Sequence, residues 1–315
     1  MLNPVIGREL TERLRGLRAF VALSIFVLLL TLAAFLVFEG SQAGQSEFDL
    51  AERTRAGRLV FETVLLVMTV LVLFFVPGVA AGAIAGERER QTLATLQVTL
   101  LRPRSIVAGK IVAALAYLVL LIVAALPVLA AAYVLGGIRI TDIVRGVVAV
   151  SAVALLVATV VVAVSTFARR VQTATVLAYA VTVLLVIAGP LAAGIAAIFD
   201  ARADNGLDDD VAPPAFLLTL TPIALVADAV AGVSDDGPLS GLHDGILEVK
   251  EANDGRWFAL FPDTPPGNRV ELDDERRRDS GAPVWLLSAV SMTALAAVSF
   301  VGAARRLRTP AAVER

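Results

Sequence analysis

Six stretches of the chain are each about twenty residues long and almost purely apolar: Ala19–Phe38, Leu59–Ala81, Ile111–Leu135, Val147–Phe167, Ala174–Ile198 and Val284–Ala303. A hydrocarbon core of about 30 Å takes about 20 helical residues to cross. Lipid offers no partner to an unpaired backbone group, so spanning segments fold as helices or as closed barrels. The short alternating segments of a barrel are absent here. The sequence therefore predicts an all-α polytopic membrane protein with six transmembrane helices, organised as one transmembrane domain over residues 1–315. Composition agrees: 57% of the 315 residues are hydrophobic and 18% are charged, whereas a soluble domain is about 25% charged. The first stretch is too long for the apolar region of a signal peptide, and no small-residue cleavage site follows it, so it reads as an uncleaved first span.

Lysine and arginine in the short flanks set the orientation. One side carries Arg8, Arg13, Arg15, Arg18, Arg88, Arg90, Arg102, Arg104, Lys110, Arg169, Arg170, Arg305, Arg306, Arg308 and Arg315, and the other carries Arg53, Arg55, Arg58, Arg139 and Arg145. Fifteen against five puts both termini, including the tail at 304–315, in the cytoplasm. The segment 199–283 is long and acid-rich, so it carries no weight in that rule and is expected outside. Within it, Ala215–Gly232 is long enough for a seventh span, which would put the RRLR tail outside. Pro222 in its middle, Asp228 near its end and the arginines abutting the last span favour re-entrant or interfacial helices over 215–232.

Several chemistries are excluded by what is missing. The chain has no cysteine and one histidine, His243, so disulfides, thiol catalysis, a histidine triad and Cys- or His-based metal sites are not expected. No G-x-x-x-x-G-K-[ST] loop occurs, so the chain is not expected to hydrolyse ATP itself or to bind a cofactor. The spans hold almost no ionisable residues. Glu62 and Arg145 lie near outer ends and are read as snorkelling to the interface. Ion-coupled transporters place carboxylates or histidines at mid-membrane, so a secondary transporter is disfavoured. A membrane enzyme lacks obvious machinery. A non-transport anchor or signalling subunit is the alternative the residues exclude least. No nucleic-acid partner is expected.

Two amphipathic stretches flank the early spans. In 1–18, Asn3 and Pro4 open a helix, and Ile6, Leu10, Leu14 and Leu17 share one face. Such a helix lies flat on lipid in the cytoplasmic interface; the plainer reading is a basic topogenic flank. Between the second and third spans comes GERERQTLATLQVTLLRPRSIVAGK, Gly86 to Lys110. Glu87, Arg88, Glu89 and Arg90 form a charged turn, and Leu93, Leu96 and Leu100 fall at helical spacing over about 87–101. Pro103 ends that helix, and Ser105 is placed to cap the next. The leucines either rest on the bilayer or form a docking face for a cytosolic partner; the residues alone leave both readings open.

This pattern resembles the permease subunits of ABC-2 type transporters, which have the type V exporter fold. The matching residues are Gly86-Glu87-Arg88-Glu89, Thr92-Leu93, Leu96, Pro103, Ser105, Gly109 and Lys110, with the N-terminal NPV…REL..R.RG.RAF similar to that family's connecting helix. Gln91 stands where the family often has glycine. The resemblance implies that the insert is a coupling helix docked on a separate ATPase subunit. Glu87, Arg88, Glu89, Arg90 and Thr92 would then meet that subunit at the rim, and Leu93, Leu96 and Leu100 would supply buried contact. It further implies ATP and Mg in the partner, a second permease subunit as homo- or heterodimer, and a multi-pass exporter in the bacterial cytoplasmic membrane. A path lined by apolar residues, with Phe74 and Phe75 as constriction residues, would suit an amphipathic or lipid-like cargo.

Overall fold

The computed structural model describes residues 17–42, 50–92, 103–203, 221–231, 233–234, 237–245 and 284–307, and among these every regular element is a helix. In chain order they are α1 (Leu17–Gln42), α2 (Leu50–Ala80), α3 (Gly82–Glu89), α4 (Pro103–Leu135), α5 (Ile140–Ser165), α6 (Val171–Ala203), α7 (Pro222–Ala229), α8 (238–245) and α9 (Val284–Arg306).

Among the described residues, five helical segments are long and apolar enough to cross a membrane: Phe20–Ser41, Glu52–Glu89, Arg104–Leu135, Ile140–Ser165 and Ser288–Arg306. The expected fifth span falls in α6, a continuous helix of 33 residues. Helix outlasts apolarity at several ends. α2 begins nine residues before Leu59, and α6 runs past Phe199 to Ala203. Backbone hydrogen bonding continues wherever the chain keeps good helix formers, whether or not lipid surrounds them. α7 has eight residues, a rise of about 12 Å, so it does not cross a bilayer. The remainder of Ala215–Gly232 before Thr221 lies outside the described residues.

α2 and α5 form the centre. Phe61, Val64, Leu65, Met68 and Val72 of α2 and Val150, Val153, Ala154, Val157 and Val161 of α5 are buried at helical spacing and belong to one cluster. α4, α6, α7 and α9 pack around α5, and α1 lies on α2 and α4. α1 shows Phe20, Leu28, Phe35 and Leu36 on its exposed side, as expected of a helix whose other neighbour is lipid. Polar hydroxyls inside the bundle bond to the carbonyl one turn back: Thr69 to Leu65, Ser151 to Val147, Thr159 to Leu155 and Thr182 to Ala178, at 2.6–2.9 Å. This lets them sit in apolar surroundings without an unmet hydrogen bond.

The start of α2 meets the turn between α4 and α5 backbone to backbone. A Cβ on Gly57 would lie 2.1 Å from the Gly136 carbonyl oxygen, and one on Gly137, at φ +82°, would lie 2.2 Å from the Thr54 carbonyl oxygen. Glycine is required at both positions. Alternate helix ends therefore gather into two groups: an arginine-rich end holding α3, the α5–α6 turn and the end of α9, and an opposite end holding the α4–α5 turn, α7 and α8.

The expectation that Glu62 snorkels is overturned. Its side chain is 0% exposed. Its carboxylate accepts hydrogen bonds from Ser234 Oγ at 2.6 Å and from the backbone N–H groups of Leu239 and Ser240 at 3.1 and 3.2 Å. The partners are the first amides of α8, whose partial positive charge favours an anion. Gly237 makes room for it, since a Cβ there would meet Glu62 Oε2 at 1.9 Å.

Candidate functional site

The charged run lies where α2 gives way to α3. Pro77 sits inside α2 and has no N–H to donate to the previous turn, and Ala81 separates the two helices. The hydroxyl of Ser165, the last residue of α5 and 0% exposed, fills the break. It donates to the Ala81 carbonyl at 2.5 Å and accepts from the N–H groups of Ile84 and Ala85 at 3.2 and 3.0 Å. A side chain thus stands in the backbone ladder, one of the few ways a helix is bent or broken without loss of hydrogen bonds.

Glu87, Arg88 and Glu89 are the last turn of α3, which corrects the expectation of a charged turn. Each reaches a different element. Glu87 Oε1 is 3.1 Å from Lys110 Nζ in α4, and Glu87 Oε2 accepts from the Thr92 hydroxyl. Arg88 Nη1 donates to the carbonyls of Thr166 and Ala168, both at 2.9 Å. Glu89 Oε2 accepts from the N–H of Val171, the first residue of α6, at 2.9 Å. These pairings follow helix polarity. A guanidinium sits on the carbonyl end of α5 and a carboxylate on the amide end of α6. Arg306 at the end of α9 adds a second guanidinium there: Nε donates to the Thr166 carbonyl at 3.3 Å, and its charge lies 4.9 Å from the ring centre of Phe167.

The chain then turns out. The Thr92 N–H donates to the Glu87 carbonyl at 2.9 Å and the Gln91 N–H to the Arg88 carbonyl at 3.1 Å, which is a Schellman helix end. Gln91 occupies its left-handed position at φ +60°, the position that favours glycine. Here lies the physical reason for glycine at this place in the resembling proteins. Arg90, Gln91 and Thr92 are exposed. Leu93, Leu96 and Leu100 lie outside the described residues, as do Ile6, Leu10 and Leu14; Leu17 opens α1. α4 starts at Pro103 rather than after a Ser105 cap, because proline is itself suited to the first helical position.

Phe74 and Phe75 part company. Phe75 stacks edge-on with Phe26 of α1 at 6.2 Å and is partly buried in the bundle. Phe74 is 59% exposed and leans on Tyr179 of α6 at 5.6 Å. The Tyr179 hydroxyl donates to the Phe74 carbonyl at 3.0 Å. Gly78 leaves space for that hydroxyl. Among the described residues no cluster of His, Asp and Glu is arranged to hold a metal ion.

Ser165, Val171 and Arg306 were not singled out from the sequence. Their partners stand about 80 to 140 residues away, and the only local hint is a Ser-Thr pair at the end of an apolar run.

With every described element a helix and five membrane-length apolar helices among the described residues, this is a multi-pass membrane protein. The sequence matches the family described as ABC-2 family transporter protein over residues 4–305, and the chain belongs to that family. It is accordingly a membrane permease of an ABC transporter, a membership that implies association with an ABC ATPase. No curated protein matches the chain in sequence.

Proposed function

We propose that the chain is the membrane-spanning half of an ATP-driven exporter, with six spans, both termini in the cytoplasm of a bacterial cell and the motor on a separate ATPase subunit. ATP and Mg belong to that subunit; the chain itself hydrolyses no nucleotide, having no phosphate-binding loop. The observation that carries this reading is the turn Arg90–Thr92, which is exposed where it leaves the arginine-rich end and leads into the leucine-rich segment before Pro103. Glu87, Arg88, Glu89 and the Thr92 hydroxyl are engaged within the chain, so docking falls to Arg90 and the leucine face. A second permease subunit, identical or related, packs against the α2–α6 face, where Phe74 is exposed on the path.

The test is Leu96→Asp with co-purification of the ATPase subunit. A carboxylate buried without a cation costs several kcal/mol, and about 1.4 kcal/mol is tenfold in affinity. Association should fall by about two orders of magnitude or more, while membrane insertion is unchanged. Thr95→Asp, on the far side of the same turn at helical spacing, is the control. Equal recovery of the ATPase with Leu96→Asp, Thr95→Asp and the unaltered chain would remove docking from this segment.

A further inference from the structure

We propose that Arg88, together with Glu89 and Ser165, is a strut that carries movement of the α3–α4 connection into α5 and α6. The inference rests on the exporter reading above and adds to it the direction in which the push travels.

α3 is fastened unequally to its neighbours. Toward the α5–α6 turn, α3 and its start make six hydrogen bonds: Ser165 with Ala81, Ile84 and Ala85, Arg88 with Thr166 and Ala168, and Glu89 with Val171. Residues 81, 84, 85 and 88 recur at the spacing of one helix face. The Ser165 contacts are fully buried, and Arg88 donates twice from one nitrogen, Nη1, to two carbonyls of the turn, those of Thr166 and Ala168. Toward α4, the described side-chain contact of α3 is the ion pair Glu87–Lys110, whose side chains are 31% and 12% exposed. A single pair open to water on one side holds less firmly than a buried network. Above the strut, Pro77 and the break at Ala81 interrupt the ladder of α2, which is where a helix bends. Displacing the connection therefore swings α3 about the Pro77–Ala81 break and takes the start of α6 with it, while α4 is free to lag behind.

The chain contains no cysteine, so paired labels can be introduced without background. Val119 on α4 and Leu184 on α6 are both well exposed. Spin labels at Val119→Cys and Leu184→Cys, in the complex with its ATPase subunit in nanodiscs and with labelled chain diluted in unlabelled chain, report the α4–α6 distance with and without ATP and Mg. The expected result is an ATP-dependent shift in the distance that Arg88→Gln reduces while the ATPase subunit still co-purifies. Arg88→Lys should retain part of the shift. Ser165→Ala is the second variant: it leaves every charge in place and should reduce the shift even if Arg88→Gln does not fold. A full shift in folded complexes of Arg88→Gln or Ser165→Ala, with only the melting temperature lowered, overturns the strut and leaves the exporter reading intact. Absence of ATPase binding, or of any ATP-dependent shift, in the unvaried chain overturns the exporter reading and the strut with it.

Discussion

The two ends of the α2–α3 unit are both fastened by polar side chains, in opposite ways. At the end holding α8, one carboxylate, Glu62, is 0% exposed and takes three hydrogen bonds from a single segment, Ser234 to Ser240. At the arginine-rich end, Glu87, Arg88 and Glu89 spread their contacts over α4, α5 and α6. Burial accounts for the difference. A carboxylate out of water has to be fully satisfied or it is costly, so the Glu62 clamp works as a whole or not at all. The half-exposed lock is redundant, since water replaces any one lost partner and the others remain. One end is suited to staying shut, the other to giving way by degrees.

The largest effect should come from the backbone approach that frames the Glu62 end. Gly137→Val combines a left-handed backbone with a Cβ 2.2 Å from the Thr54 carbonyl. It should lower stability by at least about 3 kcal/mol, seen as loss of folded yield in detergent. Next is the direct contest between the ends. Glu62→Ala strands the Leu239 and Ser240 amides and should cost about 2–4 kcal/mol, whereas Arg88→Ala should cost about 1 kcal/mol. Melting curves of the two variants settle it, and equal losses would erase the distinction between all-or-none and redundant fastening. Glu62→Gln, which keeps an acceptor oxygen, should fall between them.

A smaller effect separates the ends by pH. His243, the chain's single histidine, lies with Nδ1 3.1 Å from Asp228 Oδ1, close enough for ion pairing though poorly aligned as a hydrogen bond. The Asp228 carboxylate raises its pKa above the usual value near 6.5, burial opposes this, and the Asp228 and Asp244 charges add to the rise. A group whose folded pKa is raised contributes stability fully below its unfolded value, and that stability is lost as pH rises through the folded one. Protection of α8 amides, corrected for intrinsic exchange, should therefore fall as pH rises from below the usual histidine value through the raised folded one, while α3, with no histidine, should show no matching step. His243→Gln should flatten the α8 profile. The smallest expected effect is a gain: Gln91→Gly relieves a left-handed residue and should add about 1 kcal/mol or less, while Gln91→Val should cost about as much. Thermal midpoints of the pair check the Schellman turn.

How far the sequence reaches differs between the ends for the same reason. The membrane-length helices were legible because lipid imposes one rule on every span, and apolar runs follow it. Gln91 stood out only through the resemblance, as a departure from glycine, and the helix end that it forms was not expected there. Glu62 was misread because an acid near the end of an apolar run looks the same whether it reaches outward to the interface or inward to a loop; its partner Ser234 is 172 residues on. Glu87 to Glu89 were read as a turn since charge breaks the apolar pattern without breaking the helix. Their partners are mostly backbone groups, which carry no letter in the sequence.

The Ser165 contact also sets an order of events during synthesis. The amides of Ile84 and Ala85 are made 81 and 80 residues before the hydroxyl that receives them. At about 5–20 residues per second, they wait about 4–16 s for that partner. Glu62 waits for Ser234 roughly twice as long at the same speed. The nascent chain therefore completes the Ser165 contacts first, and for several seconds more the Glu62 carboxylate has no partner. A ribosome halted after α6 would hold a chain with α3 already tied to α5 and α6, and with the Arg306 contact and the Ser234 clamp still to be made.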